Sequence, residues 1–249
     1  MDQQPTTAAP VELSSFMTRM TNVFASPTEL FSELTVTKTQ TSSWLIPYII
    51  LALLAVVSTY VVYNNTTLRQ QIYDMQEQGY KKAVAEQKMT QEQADQISEK
   101  VESSGPGMFI AFGAGFQIVT ISAMMFLGAL VYWAAAKIML KFSGDYSKIL
   151  ELFGLASVVG ILGTIVTLIM MNLMNSMVAT PSAGVFLLGS FDPMNKAHKL
   201  LAQINIFTLW QTGFIGWGMA KISGKSTGTG LGISYGLWAV WTLAISLLF

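Results

Sequence analysis

Few residues of this 249-residue chain are of types that could carry chemistry. Gly224-Lys225-Ser226 ends like a phosphate-binding loop, but Met219 stands where that pattern requires a glycine, and no strand precedes it. His198 is the single histidine and the chain has no cysteine, so the usual ligands of a zinc site are missing. No nucleophile–base pair or paired carboxylates are evident, which predicts a protein that is not an enzyme, with no cofactor and no metal.

Polar side chains inside apolar stretches offer a second kind of chemistry. A channel or small-solute permease could be lined by Asn172, Asn205, Thr208 and Gln211. We favour hydrogen bonds between helices, worth about 0.6 kcal/mol each in a membrane. No Asp or Glu lies within the core of any predicted span, whereas ion-coupled transporters usually keep such a carboxylate. A channel or permease remains the alternative function.

A third feature is a glycine repeat with a period of four. Gly224, Gly228, Gly232 and Gly236 would line one face of a helix as a groove without side chains. Small residues at this spacing let two helix backbones approach closely in lipid. We therefore predict a helix-packing groove, used either within the bundle or between copies of the chain.

The elements that hold these residues are predicted to be membrane-spanning helices. Hydrophobic residues make up 52% of the chain and charged residues only 11%, against about 25% in ordinary soluble domains. The stretch from Ser103 to Ala136 carries no charge at all, and about 20 apolar residues suffice to cross the bilayer. The predicted fold is all-α, with five spans at about 44–63, 108–140, 152–174, 201–220 and 230–249.

Two polar regions flank or interrupt these spans. Residues 1–10 are predicted to be a disordered tail, and 11–43 to hold amphipathic helices and a connector ahead of the membrane domain, 44–249. Leu13, Phe16, Met17, Met20 and Phe24 share one helical face, with Arg19 among the polar residues opposite. That helix could lie on the membrane or pack on its own bundle, and the pattern leaves both open. Residues 66–103 are predicted to form a polar helical hairpin outside the bilayer.

The basic residues give an orientation. Lysines are dense in the two short loops 137–148 and 221–225, and more dilute in the longer loops after the first and third spans. The positive-inside rule then puts the N-terminus in the cytoplasm. Basic and acidic residues balance at 14 each, so nucleic-acid binding is not predicted.

Several local motifs, taken together, have the order found in one known family. Phe24-Ala-Ser-Pro27-Thr-Glu-Leu-Phe31 and Trp44-Leu-Ile-Pro47 precede and open the first span, and Asn205-Ile-Phe207-Thr-Leu-Trp210 opens the fourth. In this order, and with the hairpin between the first two spans, the chain resembles the bacterial form of the Yip1 family. Asn205 stands where that family often has an acidic residue.

The resemblance implies five helices, a cytoplasmic N-terminus and a location in the bacterial inner membrane. Eukaryotic relatives act in trafficking and membrane shaping and bind Rab GTPases, but their Asp-Leu-Tyr-Gly-Pro signature is absent here, so we do not extend Rab binding to this chain. The expected function is a non-enzymatic scaffold that organises the membrane or partner proteins. Its expected partners are the lipid bilayer, other membrane proteins or a second copy of itself.

Overall fold

A computed structural model describes residues 13–103 and 105–248, without the side chains of Glu102, Leu247 and Leu248. The predicted tail, 1–10, lies outside these residues. The described chain is all-α, as predicted, and contains no strand. In chain order, the helices are α1 (Phe16–Ala25), α2 (Pro27–Val36), α3 (Ser42–Asn64), α4 (Thr66–Ala85), α5 (Gln91–Ser103), α6 (Pro106–Met139), α7 (Tyr146–Met174), a short 3-10 helix (Ala183–Leu187), α8 (Lys196–Gln203), α9 (Ile206–Ile222) and α10 (Thr227–Leu248).

Three helices, α3, α6 and α7, are long and apolar enough to cross a membrane. With 34 residues and a rise of 1.5 Å per residue, α6 is about 51 Å long, more than the hydrocarbon core of about 30 Å requires. Only 11% of the most apolar 18-residue stretch of α6 is buried inside the protein, against 50% of the corresponding stretch of α7. Helix α7 is therefore the centre of the bundle, and α6 is the most exposed of these three helices.

The boundary predicted for the fourth span is wrong at its start. Residues 201–203 belong to the short helix α8, and the apolar helix α9 begins only at Ile206. The break is fixed by backbone bonds to the preceding loop: Ala183 N donates to Ile204 O at 2.9 Å, and Ile206 N donates to Pro181 O at 3.0 Å. The sequence gives no clear sign of this break, because Leu201, Ala202 and Ile204 continue the apolar pattern into α9.

Helices α9 and α10 approach each other at two glycines. A Cβ added to Gly216 would lie 2.7 Å from Gly230 O, and one added to Gly230 would collide with Gly216 O. Nearby, Ser234 Oγ donates to Thr212 O at 2.6 Å, in a fully buried bond. Only glycine allows the two backbones to come this close.

The polar hairpin is formed by α4 and α5. Asn65 caps α4 by accepting from Leu68 N at 3.2 Å. Ahead of α5, Thr90 N donates to Gln93 Oε1 at 3.0 Å and Gln93 N donates to Thr90 Oγ1 at 3.2 Å, so the two residues form a reciprocal capping box.

Candidate functional site

Four charged side chains meet inside the protein where α1, α2 and α7 converge with the start of α3. Arg19 is 1% exposed and Glu151 is 0% exposed, and Glu33 is also buried. Lys148 closes the group from one turn earlier on α7. Arg19 and Lys148 balance Glu33 and Glu151, so the cluster is neutral as a whole. We call these four residues the buried ion cluster.

Arg19 is the centre of the cluster and connects three elements. Its Nε and Nη2 donate to Glu33 Oε1 at 2.9 and 2.6 Å. Its Nη1 donates to Glu151 Oε1 at 2.8 Å and to Ser43 Oγ at 3.0 Å. The planar guanidinium fork can hold several acceptors in fixed directions, which a lysine ammonium cannot do. Arg19 therefore joins α1 to α2, α3 and α7 at once.

The two carboxylates take further donors from the backbone and from Lys148. Gln40 N donates to Glu151 Oε1 at 3.0 Å, and Ser14 N donates to Glu33 Oε1 at 3.1 Å. Lys148 Nζ donates to Glu151 Oε2 at 2.8 Å and to Thr37 O at 2.9 Å. Within the part of the chain described, the only buried side-chain oxygens or nitrogens without a partner are the hydroxyls of Ser223 and Ser246, both elsewhere. No buried side-chain oxygen or nitrogen of the cluster therefore lacks a partner.

Such a cluster fixes geometry more than it adds net stability. Desolvation of buried ions offsets much of their attraction, whereas removal of one partner from a buried pair costs about 3–5 kcal/mol. The cluster consequently favours one docked arrangement of α1 and α2 over every arrangement that would leave a charge unpaired.

An aromatic contact docks α2 from its other side. The buried ring of Phe31 lies 4.7 Å from Phe214 and 5.3 Å from Trp217, centroid to centroid, both on α9. Gly218 leaves room for this ring, since a Cβ there would lie 2.9 Å from Phe31 Cε1. On α1, the Phe24 ring meets Trp210 edge-on at 5.5 Å. The α1–α2 corner therefore points along α9 toward the N-terminal end of that helix.

Other residues of the quoted motifs also make helix contacts. Trp44 packs directly on the backbone of α7, because a Cβ at Gly154 would collide with Trp44 Cα. Pro27 is the first residue of α2. Pro47 is buried in the body of α3, which begins at Ser42, two residues before the predicted start of the first span. Phe207 packs against Gly163 of α7.

Asn205 has a local structural role. It is the N-cap of α9, and its Oδ1 accepts from Phe207 N at 2.9 Å and from Thr208 N at 3.4 Å. An acidic residue at this position could form the same cap, since Asp and Asn are both favoured there. The difference from the family pattern therefore leaves the helix start intact.

The residues of the alternative solute pathway are not gathered around a common cavity. Asn205 caps α9, Thr208 is exposed, and Asn172 bonds back to Leu168 O at 2.9 Å. Gln211 packs against Gly160. None of the four lines the cavity of about 640 Å³ on the far side of the bundle.

The predicted glycine groove faces outward. A Cβ at Gly224, Gly228, Gly232 or Gly236 would meet nothing within 4 Å, and Gly224 lies outside the helix with φ +63°. The contact within the bundle uses Gly230 instead, on the opposite side of α10. Of the two uses predicted for the groove, contact between copies of the chain is the one that remains a prediction.

The two other chemical candidates are a loop between α9 and α10 and a histidine in the short helix α8. Lys225 N donates to Ala220 O at 2.9 Å, and Ser226 Oγ accepts from Thr229 N at 3.3 Å, so the loop ends α9 and starts α10. His198 Nδ1 accepts from Asp192 N at 3.0 Å. Each group is used in local structure.

No pattern in the sequence predicts the buried ion cluster, and the environment of one of its members differs from the prediction. Arg19 was predicted among the polar residues opposite the apolar face of α1, but its side chain is buried inside the protein, as is that of Val23. One signal was present: Glu33 interrupts the apolar stripe of α2 formed by Leu30, Phe31 and Leu34. Glu151 lies one residue outside the predicted third span, yet it is buried in α7.

Comparison with curated proteins and with solved structures finds no match. One family model matches, that of the Yip1 domain, over residues 21–249. The match covers nearly the whole chain, including α2, all three apolar helices α3, α6 and α7, and the α9–α10 pair. The protein is therefore a membrane protein of the Yip1 domain family.

Proposed function

We propose that the protein is a non-enzymatic, five-span protein of the bacterial inner membrane that shapes or organises the bilayer through its α1–α2 hairpin. In this proposal α9 and α10 add two spans to α3, α6 and α7. Helix α9 has 17 residues and a length of about 25 Å, which is short for a span unless the bilayer thins around it.

The basic residues support an N-terminus on the cytoplasmic side. Lys148 bonds to Thr37 O beside the buried ion cluster. Phe31 packs against Trp217 in the C-terminal half of α9, the half that carries Lys221 in its last turn and is followed by Lys225. The hairpin α1–α2 and the lysine-dense short loops therefore share one end of the bundle, which by the positive-inside rule is the cytoplasmic end.

The α1–α2 hairpin has an apolar outer surface at that end. Leu13, Met17 and Phe24 are exposed large hydrophobic residues, and Met17 is 69% exposed. Because the corner between the helices points along α9 toward the far end, these side chains would enter the hydrocarbon of the cytoplasmic leaflet. Helix α1 then both packs on its own bundle and contacts lipid. These are the two arrangements that the sequence left open, and here they occur together.

The observation that carries the proposal is the docking of this hairpin by the buried ion cluster. Arg19 reaches acceptors on α2, α3 and α7, so the hairpin is attached rigidly to the bundle. A rigid body that occupies area in one leaflet expands that leaflet relative to the other. The polar hairpin α4–α5 stands outside the opposite leaflet and adds no such area. The asymmetry would favour curved membrane.

Sorting between membranes of different curvature tests the proposal. Purified protein is reconstituted into vesicles of mixed diameter, and its density per area is compared between small and large vesicles. We expect enrichment on small vesicles for the natural chain and a loss of enrichment for Met17→Asp. Met75→Asp is the matched control, since Met75 is an exposed methionine on α4 in the polar hairpin. Equal density on all vesicles, or equal sorting by both variants, would contradict the proposal.

A further inference from the structure

A cavity of about 640 Å³ lies at the end of the bundle opposite the buried ion cluster. Its walls come from α3, α6 and α7, and the α4–α5 hairpin covers its end. The volume falls within the ~300–1,000 Å³ typical of small-molecule sites. Its lining is mostly aliphatic, aromatic and methionine side chains, of which Val62, Ile97, Phe109, Phe112, Leu168 and Met171 are representative.

Polar side chains at the inner end of the cavity already have partners within the protein. Gln117 Nε2 donates to Thr59 Oγ1 at 2.9 Å, and Ser58 Oγ donates to Gln117 Oε1 at 3.2 Å. Thr164 donates its hydroxyl to Gly160 O at 3.0 Å. These groups have little left to offer a polar ligand or a column of water. The cavity therefore suits an apolar occupant.

The length of the cavity fits one leaflet. Along α6 the lining runs from Met108, in the first turn, to Gln117. At 1.5 Å per residue this is about 14 Å, close to half of the ~30 Å hydrocarbon core. The outer end lies beside the polar hairpin. If the hydrocarbon core begins below that hairpin, the inner end would lie toward the bilayer midplane. This is the depth spanned by the acyl chains of that leaflet.

The cavity also opens toward lipid. Phe112 lines it and is 73% exposed on the outer face of α6, the helix that is least buried in the bundle. Water in an apolar space lacks the two to four polar partners that hold it, and an empty space deprives its walls of dispersion contacts. The opening faces lipid hydrocarbon in a membrane. Hydrocarbon needs no polar partners, and it would supply the dispersion contacts that the walls of an empty cavity lack.

We propose that this cavity binds one acyl chain of a phospholipid from the leaflet on the α4–α5 side. The proposal rests on α3, α6 and α7 crossing the bilayer, but it does not depend on the action of the α1–α2 hairpin in the other leaflet. A failure of vesicle sorting therefore leaves it standing, and the reverse also holds.

Photocrosslinking in reconstituted vesicles tests the proposal. The probe is a phosphatidylcholine with a diazirine near the end of one acyl chain, and crosslinked sites are mapped by mass spectrometry. We expect crosslinks concentrated on residues 109–117 of α6 and 164–171 of α7. Crosslinks spread evenly over the exposed apolar face of α6, including Val119 and Leu127, would overturn it.

Two cavity variants and one control variant make the test specific. Thr167→Phe places a ring inside the cavity, and we expect labelling of the lining to fall about tenfold, the equivalent of about 1.4 kcal/mol. Ile169→Phe adds a similar ring to the exposed, lipid-facing side of the same helix and should label like the natural chain. Val101→Trp narrows the cavity from the α5 side, outside the bilayer, and should also reduce labelling of the lining. It replaces Thr167→Phe in the test if that variant does not fold. Unchanged labelling in a folded cavity variant would contradict the proposal.

A free fatty acid carrying the same diazirine separates the two sources of an acyl chain. The phospholipid should label the lining at least as strongly as the fatty acid at equal mole fraction. Preferential labelling by the fatty acid would overturn the assignment to a membrane lipid.

Discussion

Both ends of the bundle hold ion pairs between a basic side chain and a glutamate at similar distances, but in different surroundings. Arg19 lies 2.6 Å from Glu33 and 2.8 Å from Glu151, with side chains at most 8% exposed. In the polar hairpin, Lys81 lies 2.7 Å from Glu77, with side chains 69% and 58% exposed. Distance does not distinguish these pairs. Contact with water does.

The comparison teaches that burial decides what a charged pair contributes. An exposed pair four residues apart on a helix adds about 0.3–0.5 kcal/mol, because water screens it and both side chains stay mobile. A buried charge that loses its partner costs about 3–5 kcal/mol. The exposed pairs give α4–α5 a charged, hydrated surface, whereas the buried ion cluster determines the position of α1 and α2 on the bundle.

The largest expected effect is that of Arg19→Met. This variant leaves Glu33 and Glu151 buried with Lys148 as their only cation, so we expect a loss of about 3–5 kcal/mol. Thermal unfolding in detergent and protease sensitivity of the connector at residues 37–41 measure it. An unfolding temperature within error of that of the natural protein would contradict the conclusion that burial makes the Arg19 pairs more important than the exposed ones.

A glycine pair on α10 extends the comparison to packing. Gly230→Leu should destabilise the bundle by about 3 kcal/mol, because its side chain would collide with the backbone of α9. Gly232→Leu has open space and should leave thermal stability unchanged. If Gly232 lies in a contact between copies, this variant should instead change the oligomeric state seen by light scattering. Equal destabilisation by both variants would contradict the packing described.

Arg19→Lys sharpens the comparison, because it keeps the charge and removes the fork. We expect a loss of about 1–3 kcal/mol from acceptors that one ammonium cannot reach. The measured stability should lie between those of the natural chain and Arg19→Met. Full stability with lysine would mean that charge alone, without the guanidinium geometry, holds the hairpin.

The smallest effect is expected at the exposed end. Lys81→Met should change stability by no more than about 0.5 kcal/mol. Raising the salt concentration should weaken the natural pair further, since exposed charges are screened. A loss comparable to that of Arg19→Met would remove the distinction between the two ends.

Local features of the sequence predicted the helices well, because their physical causes are local. A charge-free run is enough to indicate α6, and the Thr90–Gln93 capping box marks the start of α5. The buried ion cluster has a different origin. Arg19 and Glu151 are separated by 132 residues, and no pattern within one helix shows that a polar face will meet a carboxylate from another.

The glycine repeat failed to predict the packing within the bundle for a related reason. A period of four shows that Gly228, Gly232 and Gly236 share a face, but not which neighbour that face meets. Gly230 lies two residues away, on nearly the opposite side of the same helix. The choice between these faces depends on the position of α9, which is set by its contacts with α2 and α7.

The distance between α1 and the bundle tests the central claim most directly. The chain has no cysteine, so spin labels at Thr21→Cys and Lys225→Cys, both exposed positions, report without background. Pulsed electron paramagnetic resonance in nanodiscs should give one narrow distribution of distances between the two labels when Arg19 is present and a broad one in Arg19→Met. A distribution that is broad with Arg19 present, or equally narrow without it, would contradict the conclusion that the buried ion cluster docks the hairpin.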